Sequence, residues 1–163
     1  MATKSDFTAD EWKTVLESPI LAGFAISAAD PSGFISTIKE GWAEATELAT
    51  AKTSASDELI KAVADDLLTA DGRSAARDGI KSLVTGSQLA EYKDKSLAEL
   101  KRAVAIIDAK APADAAAFKT WLGHIAQKVA EAGAEGGFLG FGGVQVSDKE
   151  KATIAEINTV LGV

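Results

Sequence analysis

Apolar and polar residues recur along most of this chain with the period of an α-helix, and one stretch departs from that pattern by being apolar all round. Residues 18–30, SPILAGFAISAAD, carry no charge before Asp30. Ile20, Leu21, Phe24 and Ile26 spread round the helical circumference, and Ala22, Gly23, Ala25, Ala28 and Ala29 fill the gaps between them. This is the signature of a helix enclosed by other helices. Ser18 is placed to cap its start, Pro19 to occupy its first turn, and Asp30-Pro31 to stop it. The run falls short of the ~20 apolar residues needed to cross a bilayer, so it predicts a central core helix.

The flanking segments supply the helices that would surround it. Thr8-Ala-Asp-Glu11 is a capping box, with Phe7 and Trp12 at the two staple positions, and it predicts a first helix running to about Glu17. Asp30-Pro31-Ser32-Gly33 then turns the chain into a helix over 34–52, whose inner stripe is Phe34, Ile38, Trp42, Ala45 and Ala49. A polar break at 53–56 precedes a helix over 57–70 with Leu59, Ile60, Val63, Leu67 and Leu68 inward and Asp65 and Asp66 on the solvated side. Between 71 and 96 the pattern loosens. Gly72, Gly79 and Gly86 punctuate one short helix built on Ile80, Leu83 and Val84, and the segment reads as a linker between halves. Ser96-Leu-Ala-Glu99 is a second capping box, opening a helix over 96–110. Pro112 starts the next, to about Ala132, with Phe118, Leu122, Ile125 and Val129 inward and Trp121, His124 and Lys128 on its flank. A third box, Ser147-Asp-Lys-Glu150, opens the last helix, with Ile154, Ile157, Val160 and Leu161 inward.

One stretch has no helical period. Residues 133–146, GAEGGFLGFGGVQV, place six glycines around Phe138, Leu139 and Phe141. No Gly-Lys-Ser/Thr follows and Glu135 and Asp148 flank it, so the reading is a compact loop whose aromatic residues plug back into the bundle rather than a phosphate cradle.

Composition sharpens the fold and narrows the chemistry. About a fifth of the residues are alanine, only three are proline, and β-branched alternating runs are almost absent. The expectation is therefore an all-α protein, a single-domain helical bundle of about six or seven helices around the buried helix 18–30, with 8–70 and 96–163 as possible pseudo-repeat halves. There is no cysteine, which removes disulfides, thiolate metal sites and cysteine nucleophiles, and the one histidine, His124, leaves no His-rich metal site and no second histidine for a triad. A formal net charge of −7 argues against nucleic acid or an anionic membrane as a partner. With no signal-peptide core in MATKSDFTADEW, a cytoplasmic location is expected.

A wider set of residues carries a resemblance. Glu11-Trp12, Ser18-Pro19, Ala29-Asp-Pro-Ser-Gly33, Ala111-Pro-Ala113, Phe118-Lys-Thr-Trp-Leu122 and Glu135-Gly-Gly-Phe-Leu-Gly-Phe-Gly-Gly143 followed by Val146-Ser-Asp-Lys-Glu150 resemble an uncharacterised family of small all-helical bacterial proteins. Ala29-Asp30-Pro-Ser-Gly33 with Glu40 is similar to the acidic helix–loop–helix motif of TerB-like tellurite-resistance domains, although Pro-Ser separates Asp30 from Gly33. That similarity implies a stress-related, cation-binding protein rather than an enzyme, with Asp30 and Glu40 as the metal candidates. From the residues themselves the leading expectation is a non-catalytic domain that acts through a protein partner or self-association, without a cofactor. A third expectation is a ligand pocket beside the glycine loop, lined by Trp121, His124, Phe138 and Phe141.

Overall fold

Reciprocal caps and one repaired proline fix the first helix, and the bundle is built on it. A computed structural model describes residues 2–29, 48–51, 57–134 and 146–163. After a single 3-10 turn, Lys4–Asp6, helix α1 spans Ala9–Ala29. Its start is the expected box: the Thr8 N–H donates to Glu11 Oε2 at 2.8 Å, and the Glu11 N–H donates to Thr8 Oγ1 at 3.3 Å. The Phe7 and Trp12 rings lie 5.5 Å apart, closing the staple.

The expected break before residue 18 is absent, and α1 runs straight through Pro19. A proline inside a helix leaves the carbonyl four residues earlier without its N–H donor. Here that carbonyl belongs to Val15, and Ser18 Oγ donates to it at 2.7 Å. Ser18-Pro19 is thus an internal repair rather than a helix start. The segment 18–29 still lies at the centre of the bundle as the second half of one long helix, and α1 packs against every other helix described below. Phe24 is an exception within it. It is half-buried, its ring 5.9 Å from that of Tyr92.

Helix α2, Glu58–Leu67, starts at Asp57, whose carboxylate accepts the N–H groups of Leu59 and Ile60 at 3.0 and 3.2 Å. Leu59, Ile60, Val63 and Leu67 are buried as expected, whereas Leu68 ends the helix and is exposed. Asp66 is not a free surface charge. Lys4 Nζ and Trp12 Nε1 each donate to its Oδ2 at 2.7 Å, tying the start of the chain to α2. Burial pushes this carboxyl upward, but the bonds from Lys4 and Trp12 outweigh it and hold the group below its ordinary value.

The segment read as a linker is a 15-residue helix, α3, Ala70–Val84, capped by Thr69. Its glycines mark close approaches. A Cβ on Gly72 would lie 2.0 Å from the Asp66 carbonyl oxygen, and one on Gly79 would lie 2.0 Å from Glu17 Oε1. Glycine is what lets α3 fold back over α2 and α1.

Helix α4, Leu89–Lys110, begins a full two turns before the expected cap. Gln88 and Glu91 form its start, the Gln88 N–H donating to Glu91 Oε2 at 3.1 Å, while Ser96 is buried inside the helix and donates to the Tyr92 carbonyl at 2.8 Å. Pro112 lies in a turn ahead of α5, Ala115–Ala134, whose Phe118, Leu122, Ile125 and Val129 are fully or almost fully buried. Asp114 in that turn accepts the backbone N–H of Ala2 at 2.6 Å in a buried contact. Helix α6, Asp148–Leu161, has the expected box, with Ser147 and Glu150 bonded reciprocally at 2.7 and 3.2 Å.

Residues 48–51 are also helical, with Leu48 and Ala51 buried. The rest of the expected helix 34–52, including Trp42, and the glycine loop from 135 to 145 lie outside the described residues. Among the described residues the molecule is an all-α bundle with no strand, and no helix is long and apolar enough to cross a membrane.

Candidate functional site

Helices α1 and α4 form the most extensive helix pair, and where α3 leans over them a cleft of about 490 Å³ remains open. One wall is a stripe of α1, Asp10, Lys13, Thr14, Glu17 and Leu21, at the spacing of successive turns on one face. The opposite wall is a stripe of α4, Lys95, Ala98, Glu99 and Arg102, and α3 contributes Gly79, Ser82 and Leu83. Three acids and three bases therefore face one small volume.

Glu17 is the unusual member. It is only 9% exposed, its carboxylate lies against the bare Cα of Gly79, and among the described residues it accepts no hydrogen bond. Among those residues its ion-pair partner is Lys13 Nζ, 3.9 Å away. Burial pushes the Glu17 carboxyl above the usual carboxylate range. Lys13 and Arg102 oppose that push and Glu99 reinforces it. A half-desolvated carboxylate in a charged cleft is the kind of group that binding sites hold ready, because a donor arriving there recovers hydration energy already lost on folding.

Thr14 and Lys95 hold hydrogen bonds of their own, whereas Arg102 holds none among the described residues. Thr14 Oγ1 donates to the Asp10 carbonyl at 3.1 Å, Lys95 bonds Ser87 Oγ and lies 3.6 Å from Glu91, and Arg102 lies 3.6 Å from Glu99. A second, more apolar hollow of about 610 Å³ opens beside Ala28, Ala29 and Ala152, but its Lys93 and Glu156 already pair at 2.8 Å.

The residues singled out from sequence do not converge here. Trp121 is buried on α5 with its ring 5.3 Å from and edge-on to Phe118, and its Nε1 is enclosed without a hydrogen-bond partner. His124, one turn later, is exposed, on the flank where Gln127 and Lys128 donate to Glu131 at 3.0 and 3.2 Å. Neither lines the cleft or the hollow just described, and among the described residues no cluster of three or more His, Asp or Glu could hold a metal. Phe138, Phe141, Asp30 and Glu40 lie outside the described residues. Glu17 was missed because it reads as the last residue of a short helix. The available signals were a charge abutting the uncharged run and a glycine, Gly79, in mid-helix.

No family model, curated protein or solved structure matches this chain.

Proposed function

We propose that this chain is a non-catalytic helical domain that works by binding, and that the cleft between α1, α3 and α4 is its binding site. The observation that supports this reading is Glu17: a carboxylate largely shielded from water, seated on Gly79, with no hydrogen-bond donor among the described residues. Such a group costs stability in the free domain and is compensated when a donor arrives. Action through a protein partner or self-association, expected from the sequence, belongs to the same non-catalytic class and differs in what fills the cleft.

Thermal melting of the full chain with and without the small-molecule fraction of a cell extract tests the reading. The expected result is a rise in melting temperature for the native sequence and none for Glu17→Ala. A rise of equal size in both would move binding away from this cleft.

A further inference from the structure

Resting on the binding reading above, we infer that the cleft takes a small amphoteric molecule, with its ammonium or guanidinium on Glu17 and its anionic end at Arg102 and Lys95.

Glu17 defines the cationic end. Glu17, with its side chain 12% exposed and its nearest cation at 3.9 Å, lacks the short N–H donors, typically about 2.7–2.9 Å away, that a buried carboxylate takes when satisfied. Lys13 Nζ stands outside that distance, on a side chain that is 49% exposed. Gly79 adds the space on that side: it has no Cβ, and the Glu17 carboxylate lies where one would project.

The anionic end follows from the facing wall. Lys95 and Arg102 are seven residues apart on α4, about 10 Å along the helix axis, and both reach solvent. Arg102 meets Glu99 only at 3.6 Å, beyond hydrogen-bond distance, so its planar donors are open to a carboxylate or phosphate. Charge balance disfavours the simpler ligands. A molecule carrying only positive charge would meet Lys13, Lys95 and Arg102, and one carrying only negative charge would meet Asp10, Glu17 and Glu99. A molecule with both charges, separated by a short chain, matches both walls. The cleft volume is that of a small-molecule site rather than a polymer groove.

Three probes of equal length separate the possibilities: δ-aminovalerate, cadaverine and glutarate, titrated calorimetrically into the full chain. δ-Aminovalerate is expected to bind at least about tenfold more tightly than either of the others. Glu17→Gln should erase its advantage over glutarate, and Arg102→Gln its advantage over cadaverine. Equal or tighter binding of cadaverine or glutarate overturns the proposal, as does δ-aminovalerate binding that survives Glu17→Gln. If none of the three binds while cell extract still raises the melting temperature through Glu17, the ligand class is wrong and the cleft reading stands. If neither the probes nor the extract act, both fall.

Discussion

Replacing Gly72 with alanine probes how α2 meets α3. The added Cβ would lie 2.0 Å from the Asp66 carbonyl oxygen and 2.6 Å from its carbon, both backbone atoms, where ordinary contact begins at 3.4 Å. The two backbones must therefore separate by about 1 Å or more, and interiors packed at crystal density do not absorb that freely. Asp66 is also held from the other side by Lys4 and Trp12, and the same corner carries the Thr69 cap, whose Oγ1 accepts the Gly72 N–H at 3.0 Å. Overpacking costs about 1–3 kcal/mol and loss of the cap about 1, while alanine recovers at most about 1 in helix propensity. The net expectation is a loss of about 1–3 kcal/mol, read from the urea midpoint at neutral pH, with melting lowered by roughly 2–4 °C for each kcal/mol. An unchanged or raised midpoint would mean that α3 does not press on the end of α2, and the description of this corner would be wrong.

Ser18→Ala should cost about 1–3 kcal/mol in the same assay, far more than an exposed Ser→Ala change, because it strands the Val15 carbonyl that Pro19 cannot serve. A loss within the error of the midpoint would show that the proline needs no repair. Trp12→Phe keeps the staple ring but removes the N–H to Asp66, with an expected cost of about 1–3 kcal/mol at neutral pH. The Asp66 carboxyl is held below its ordinary value, so its contribution is present above the unfolded value and fades as pH falls through the folded one. The difference between Trp12→Phe and the native chain should therefore shrink in acid, and a pH-independent difference would refute the assignment. Glu17 has the opposite sign. Its carboxyl is raised in the folded state, so ionisation costs stability above the folded value and the cost is relieved as pH falls. Glu17→Gln is expected to be the more stable form at neutral pH, with the gap closing in acid, and a less stable Gln variant at neutral pH would remove the case for a strained carboxylate.

What the sequence determined by itself was local. Thr8 with Glu11 and Ser147 with Glu150 form the caps their spacing announces, because a capping box is completed within four residues and needs nothing from the rest of the chain. The inner stripes of α2 and α5 were legible for a related reason: one face of a regular helix must be buried, and periodicity shows which. The same local grammar misled where two structures share a pattern. Ser96-Leu-Ala-Glu99 has the letters of a cap but lies inside α4, where Ser96 bonds the carbonyl four residues back. Ser18-Pro19 looks like a helix start but is a mended interior, with both residues buried.

The cleft belongs wholly to the tertiary structure. Glu17, Gly79 and Arg102 come from three helices far apart in sequence, and none is distinctive alone: a glutamate on a helix, a glycine that reads as a breaker, an arginine on a polar face. Only when α3 lies across α1 does the missing Cβ of Gly79 become space for a carboxylate, and only then is Glu17 largely shielded from water. Desolvation depends on what the other helices exclude, and that is decided by packing rather than by the residues adjacent in the chain.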